Sequence, residues 1–161
     1  LAACERLTTT PDLILVDGQG TAHPRRMGIA CHLGLFLNTP TIGCAKSLLC
    51  GNHAVPEVEP GSYTEVVDRA ETIGTALRTK PGVKPIYVSI GHKVDFQAAI
   101  YWVLKCCRGY RLPEPTRLAH LLAGGKLKRE RGTITTEVSY QARRVVQVTE
   151  LKVRAYATVK R

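Results

Sequence analysis

The residues with the clearest capacity for chemistry lie in one stretch, VDGQGTAHPRR, at positions 16–26. Asp17 directly follows the apolar run LILV, which is typical of a buried strand. Ligands of α/β sheets bind beyond the carboxyl ends of the strands, so a carboxylate at this position is well placed to hold a hard cation. A turn aspartate without a functional role is the alternative that the residues leave open.

The same stretch carries cationic side chains and two glycines. His23, Arg25 and Arg26 follow the glycines closely enough to meet a phosphate backbone, and glycine lets the main chain approach a bulky partner. The alternative is that the two arginines begin the next helix and remain in water.

Positive charge is concentrated at the carboxyl end of the chain. The 161 residues have a net charge of +10, and residues 126–161 hold 10 Lys and Arg against 3 Asp and Glu. Residues 1–125 hold the other 13 against 10. Such a tail favours a polyanion such as nucleic acid, because lysine and arginine neutralise phosphates, although a solubilising tail has the same composition.

The overall composition indicates a globular domain. With 44% hydrophobic and 22% charged residues, the chain is able to bury a core, and no apolar stretch approaches the roughly 20 residues that span a bilayer. The first residues lack the pattern of a secretion signal. We therefore expect a cytoplasmic protein that does not enter a membrane.

Strand-type apolar runs alternate with helical periodicity along the chain. The first predicted elements are a strand over 12–16, a helix over 27–37 and a strand over 40–44. They form a right-handed βαβ unit, so we expect the two strands to pair in parallel. We also expect the strand over 12–16 to be central in the sheet. The later predicted elements are a period-two segment over 72–77, a strand in PIYVSIG, a helix over 96–107 capped by Asp95, and a helix starting near Pro115. The pattern predicts an α/β fold.

The character of the chain changes after Gly124 and Gly125. Residues 151–159 alternate apolar and polar, which predicts a strand, and residues 133–140 are a candidate partner for a β-hairpin. We therefore divide the chain into a domain over 1–125 and a basic tail over 126–161.

Five segments together carry a family resemblance: VDGQGTAHPRR, PTIGCAKSLLCG, RTKPGVKP, YVSIGHKV and GYRLPEPTRLAH. In this order and spacing, the sequence from about residue 4 to residue 128 closely resembles the endonuclease V family. The resemblance implies a ribonuclease H-like mixed sheet flanked by helices, and a metal-dependent nuclease that recognises hypoxanthine, the base of deoxyinosine.

The resemblance also implies roles for individual residues. Asp17 matches the family's metal-binding aspartate at a strand end, where Mg²⁺, or Mn²⁺ as a substitute, would be held. His120 matches a position close to the metal, with an outer or proton-transfer role, and Lys46 matches a lysine that faces the scissile phosphate. From the residues alone, a helix histidine of packing or surface type and a solvated lysine are the alternatives.

Four further positions match the family's pocket for a flipped base, namely Gly18, Ile29, Gly43 and Leu49. For Ile29 and Leu49, ordinary core packing is an equally good interpretation of the sequence. His23 matches a family histidine that supports the metal loop or contacts phosphate.

The family's first strands, its strand-separating wedge and two of its three acidic residues have no match in this sequence. We therefore expect a truncated chain, and its activity in isolation is an open question. One hypothesis is an endonuclease that cuts DNA near deoxyinosine in the repair of deaminated adenine, with inosine-containing RNA as an alternative substrate. The other hypothesis is a non-catalytic nucleic-acid-binding remnant whose tail provides affinity.

Overall fold

The computed structural model describes residues 4, 5, 7, 10–125, 136–138 and 153–155. Its helices and strands follow one another as β1 (Ile14–Val16), α1 (Ile29–Leu37), β2 (Thr41–Ala45), β3 (Tyr63–Asp68), β4 (Glu71–Leu77), β5 (Ile86–His92), α2 (Phe96–Lys105), α3 (Glu114–Ala123), β6 (Thr136–Val138) and β7 (Val153–Ala155). The predicted α/β fold is confirmed.

The main sheet has five strands in the order β1-β2-β5-β4-β3. β1 and β2 pair in parallel, with Leu15 opposite Ile42, as the intervening helix predicts. The other neighbours are antiparallel, so the sheet is mixed. The parallel pair matters for function because both of its strands end at the same edge of the sheet.

The predicted central position of β1 is not found among the described residues, where β1 is an edge strand. No described strand pairs with its outer side, because the sheet continues only through β2. Ile14, Leu15 and Val16 are nevertheless buried, since Ile14 and Val16 pack with Ala30 of α1 and Leu15 belongs to the main core. Side chains on both faces of β1 are thus buried, which explains why its sequence is a continuous apolar run instead of an alternating one.

Helix α2 covers the face of the sheet that forms the main core. Asp95 caps the helix as predicted, because its side chain accepts a 2.7 Å hydrogen bond from the Ala98 amide. Ala99, Val103 and Cys106 are buried on the predicted apolar face. Burial also raises the pKa of the Cys106 thiol to about 11, so this cysteine is a core residue.

Strand β3 was missed by the sequence analysis. It forms a hairpin with β4, and the turn between them consists of Arg69 and Ala70, both with positive φ, at 53° and 62°. Two-residue hairpin turns of this type usually contain glycine, asparagine or aspartate, and none of these residues occurs at positions 69 and 70 to indicate a turn.

The described part of the tail consists of two short strands, β6 and β7, which pair antiparallel with Glu137 opposite Arg154. The rest of the predicted strands over 133–140 and 151–159 lies outside the described residues, and the division into two domains stays a prediction. Among the helices that the structure describes, none is long and apolar enough to cross a membrane.

Candidate active site

Three of the predicted site residues, Asp17, Lys46 and His120, lie together and are called the site cluster below. Asp17 directly follows β1 and Lys46 directly follows β2, so the parallel pairing of these strands places the two residues side by side. Helix α3 packs against β1 and brings His120 to the same edge of the sheet. The Lys46 ammonium lies 2.9 Å from Asp17 Oδ2 and 3.0 Å from His120 Nδ1, and the latter two atoms are 3.7 Å apart.

The site cluster is partly open to solvent. The exposed fractions of the side chains are 27% for Asp17, 33% for Lys46 and 57% for His120. An ammonium group only donates hydrogen bonds, so His120 Nδ1 accepts from Lys46 while Asp17 accepts as a carboxylate. The Lys46 amine is thus held between an anion and an imidazole, at a partly exposed position.

Two loops that carry the site cluster are fixed by side chains that the sequence analysis did not single out. Gln19 donates from Nε2 to the Ser47 carbonyl at 2.9 Å, which joins the loop after Asp17 to the residue after Lys46. The buried Ser89 hydroxyl accepts from the Gly20 amide at 2.8 Å. The only signal for Gln19 in the sequence was its place between two glycines.

The start of α3 is fixed by a stack of three side chains. Glu114 accepts two hydrogen bonds from Arg117, at 2.7 and 2.5 Å, and the Arg117 guanidinium lies 4.3 Å from the centre of the Tyr110 ring. These hydrogen bonds lower the pKa of the Glu114 carboxyl. The stack orients the first turn of α3. His120 follows Arg117 by less than one helical turn, so the stack also helps to place His120.

Three of the four predicted base-pocket residues, Gly18, Ile29 and Gly43, lie around the loop that follows Asp17, in part through close contacts between glycines. A Cβ added at Gly43 would lie 2.5 Å from the Gly20 nitrogen and 2.8 Å from the Gly18 oxygen, so only glycine fits there without a shift. A Cβ added at Gly18 would lie 2.7 Å from Cγ2 of Ile29. Gly18, Ile29 and Gly43 are therefore neighbours.

Ile29 and Leu49 are both exposed, at 52% and 55% of their surface. The core-packing interpretation of these two residues is therefore wrong. Exposed apolar side chains are suited to contact an apolar or aromatic ligand.

The three predicted backbone-contacting residues differ in their surroundings. Arg25 is exposed, and its amide donates to His23 Nδ1 at 3.2 Å. The Arg26 guanidinium instead binds Glu71 at 2.6 Å and Asp68 at 2.9 Å, and these two carboxylates raise its pKa. We call Arg26, Asp68 and Glu71 the hairpin clasp, because they fasten the loop after β1 to the β3–β4 hairpin. A phosphate would have to displace two carboxylates to bind Arg26.

Two residues of the site cluster carry atoms of the kind that bind metal ions. No group of three or more His, Cys, Asp or Glu side chains able to hold a metal occurs among them. Asp17 supplies one carboxylate and His120 one imidazole nitrogen. Mg²⁺ is usually held by one or two carboxylates together with water and substrate phosphate, so Asp17 fits as one of its ligands but the described residues form no closed cage.

Comparison with known proteins shows that the chain is similar to the members of one protein family. The family model described as Endonuclease V matches residues 1–121. The Endonuclease V of Gloeobacter violaceus is 58% identical over 121 residues, which cover 74% of this chain and 49% of that protein.

Solved structures of the same family superpose on the chain. The crystal structure of the Bacillus subtilis Endonuclease V gives a TM-score of 0.73 at 40% identity, covering 75% of this chain and 53% of that one. The Ciona intestinalis Endonuclease V, in complex with a 24mer DNA containing an inosine followed by a ribo-adenosine, gives 0.60 at 33% identity, covering 72% and 54%. The chain thus spans about half the length of the relatives that it matches, and the superposition confirms the predicted ribonuclease H-like fold.

Proposed function

The chain belongs to the endonuclease V family, and from this premise we propose that it forms part of the active site of a nuclease that hydrolyses a phosphodiester near hypoxanthine in DNA. The observation that carries the proposal is the site cluster, in which a carboxylate, an ammonium and an imidazole meet at one edge of the sheet. A carboxylate can bind a metal ion, an ammonium can stabilise negative charge and an imidazole can transfer a proton, and all three functions serve phosphodiester hydrolysis.

Each residue of the site cluster has a distinct proposed role. Asp17 is a ligand of a divalent cation, Mg²⁺ or Mn²⁺, and other ligands come from water, substrate phosphate and residues outside those described. The cation, when bound, lowers the pKa of water and neutralises charge on the phosphate. Lys46 stabilises the negative charge that develops on the phosphate oxygens, and His120 transfers or holds a proton at the same edge.

The neighbouring glycines and exposed apolar side chains suit a nucleobase that has left its stack. Gly18 and Gly43 keep the loop after Asp17 close to β2, and Ile29 and Leu49 offer apolar surface. An enzyme that must reach one base in a duplex extrudes it into such a pocket. We propose that hypoxanthine occupies this position, with Arg25 and His23 near the backbone of the same strand.

DNA containing deoxyinosine is the preferred substrate of this proposal, in agreement with the inosine-containing DNA bound by the Ciona intestinalis relative. This activity fits the repair of DNA in which adenine has been deaminated. Inosine-containing RNA is the second candidate, since the ribo-adenosine in the same oligonucleotide shows that the relative's complex includes a ribonucleotide next to inosine.

A non-catalytic nucleic-acid-binding role is also supported by one observation, the lack of a complete metal-ligand group among the described residues. In that case the basic residues bind nucleic acid and no bond is broken. The two roles differ in one measurable outcome, which is strand cleavage.

The test uses two proteins: the chain itself, and an extended protein in which the chain is joined to the part of the Gloeobacter violaceus relative that it does not cover. Each is incubated with a labelled duplex containing one deoxyinosine, and with the same duplex containing deoxyadenosine. The proposal predicts nicking by the extended protein with Mg²⁺ or Mn²⁺, on the deoxyinosine duplex only, and no nicking in a chelator. Binding without nicking by both proteins, with either cation, would favour the non-catalytic role.

A further inference from the structure

The guanidinium of Arg111 binds the main chain of Lys46, one of the three residues of the site cluster. Its Nη2 donates to the carbonyl oxygen of Lys46 at 2.6 Å and to that of Pro85 at 2.8 Å. Its Nε donates to the carbonyl of Lys84 at 2.9 Å. One side chain thus joins the segment after β2 to the turn before β5.

The backbone of Arg111 is fixed as well. The hydroxyl of the buried Thr79 donates to the Arg111 carbonyl at 2.6 Å. Arg111 therefore has a fixed main chain at one end and three carbonyl contacts at the other. It lies three residues before α3, so the same residue connects Lys46 to the start of the helix that carries His120.

The successive carbonyls of Lys46 and Ser47 are each held by a side chain from a distant part of the chain. Arg111 donates to the first and Gln19 donates to the second, at 2.9 Å. Ordering a lysine side chain costs conformational entropy, because the chain gives up most of its rotamers. A main chain held at two successive carbonyls limits the positions that the Lys46 ammonium can reach, which favours its place between Asp17 and His120.

We propose that Arg111 is a positioning residue that sets the location of the Lys46 ammonium by holding the Lys46 carbonyl. Hydrogen bonds from a charged guanidinium are stronger than those between neutral groups, and its planar fork serves three carbonyls at once. Lysine at this position keeps the charge but lacks the fork. The geometric part of the inference does not depend on cleavage, and the kinetic part rests on the proposed function.

Arg78 provides a matched control within the same chain. Its guanidinium also donates to three backbone carbonyls, those of Pro56, Glu57 and Val83, and both arginines are half-buried. Val83 belongs to the same turn as Lys84. The two arginines therefore differ chiefly in whether one of the carbonyls belongs to a residue of the site cluster.

The first experiment measures the acylation rate of the Lys46 amine in this chain with an N-hydroxysuccinimide acetate ester, by peptide mass spectrometry, relative to the exposed Lys80. In the unmodified chain Lys46 reacts more slowly than Lys80, because its amine is held by two acceptors. The Arg111→Met variant raises the relative rate for Lys46 several-fold, and the Arg78→Met variant leaves it unchanged. An equal Lys46 rate in the unmodified chain and in folded Arg111→Met would overturn the inference.

If circular dichroism shows that Arg111→Met does not fold, the Arg111→Lys variant decides the question. The inference predicts a Lys46 rate above that of the unmodified chain, while a rate equal to it overturns the inference. A general loosening of the turn is separated from this effect by Arg78→Met, because that variant disturbs the same turn without touching Lys46. A matching rise in Arg78→Met would also count against the proposal.

The second experiment compares the same variants in the extended protein on the deoxyinosine duplex. Displacement of a positioned charge reduces kcat by about 10- to 100-fold while KM changes little, since misplacement affects the transition state more than binding. Arg78→Met keeps the kcat of the parent. An unchanged kcat in Arg111→Met with an active parent would contradict the kinetic part. If the extended protein without these substitutions does not nick the duplex, the proposed function is contradicted. The acylation experiment then decides the role of Arg111 by itself.

Discussion

The site cluster and the hairpin clasp each consist of one cationic side chain and two acceptor side chains that come from distant parts of the sequence. In the hairpin clasp, Arg26 binds two carboxylates at 2.9 and 2.6 Å, and the pairs fasten a loop to a hairpin. In the site cluster, Lys46 binds one carboxylate and one imidazole beside glycines and exposed apolar side chains.

The difference shows why charge pairing alone does not identify a functional site. The planar guanidinium of Arg26 binds two carboxylates, and these ion pairs hold two segments of the chain together. Lysine held by one aspartate and one histidine leaves groups that a phosphate or a divalent cation can engage. The surroundings also differ, since only the site cluster lies where two parallel strands end together.

Removal of the Lys46 ammonium is expected to have the largest kinetic effect of the variants that separate the two groups. Lys46→Met in the extended protein lowers kcat on the deoxyinosine duplex by about 100- to 1000-fold, the range for loss of one charge-stabilising group in a transition state. Single-turnover nicking measures this effect. A reduction of less than about threefold would mean that Lys46 is a fastening residue like Arg26.

A methyl group at Gly43 tests the close packing beside the site cluster. Its Cβ would lie 2.5 Å from the Gly20 nitrogen, so the loop that follows Asp17 must shift. We expect Gly43→Ala to lower the free energy of unfolding by about 1–3 kcal/mol, as overpacking does, and to weaken discrimination between the deoxyinosine and deoxyadenosine duplexes. Urea unfolding and paired nicking assays check both effects. Gly82→Ala is the control, because a Cβ at Gly82 has nothing within 4 Å, although its φ of 69° adds some backbone strain.

Opening the hairpin clasp is expected to change stability and leave catalysis intact. The double substitution Asp68→Asn and Glu71→Gln removes both negative charges that Arg26 contacts and lowers the melting temperature. The kcat of the extended protein changes by less than about twofold, or about 0.4 kcal/mol in activation free energy. Differential scanning calorimetry and nicking assays on one preparation test this. A large loss of kcat at an unchanged melting temperature would reverse the roles assigned to the two groups.

Deletion of residues 126–161 is expected to have the smallest effect on base recognition. The segment carries seven surplus positive charges, 10 minus 3, so its removal weakens binding to any nucleic acid and flattens the dependence of affinity on salt. The ratio of affinities for deoxyinosine and deoxyadenosine duplexes stays the same. Fluorescence anisotropy at several salt concentrations measures both quantities. Unchanged affinity at low salt would identify the segment as a solubilising one.

Much of the fold was predictable because local signals agreed with the final packing. The apolar run before Asp17, the Asp95 cap and the periodicity of α2 all predicted elements that the structure contains. Strand β3 was missed because the Arg69–Ala70 turn lacks the usual turn residues. The edge position of β1 was not predictable, since two-sided burial gives the same apolar run in edge and central strands.

Within the candidate site, Asp17 was predictable from its place after a buried strand, whereas Lys46 and His120 were predictable only from their match to the family motif. The proximity of the three residues depends on strand pairing and helix packing that no local pattern encodes. Gln19 and Arg111 were missed because their contacts are to backbone carbonyls, whose positions follow from the tertiary structure.

The most direct test of the account is the Asp17→Asn variant of the extended protein, with Asp12→Asn as the control that removes an equal charge before β1. The amide keeps the shape of the carboxylate but is a much poorer ligand for Mg²⁺. Nicking of the deoxyinosine duplex by Asp17→Asn is expected to fall below detection while its Kd for the duplex stays within about threefold, or roughly 0.65 kcal/mol. Asp12→Asn is expected to nick at the parent rate. Nicking that survives in Asp17→Asn would contradict the assignment of Asp17 as a metal ligand and, with it, the proposed active site.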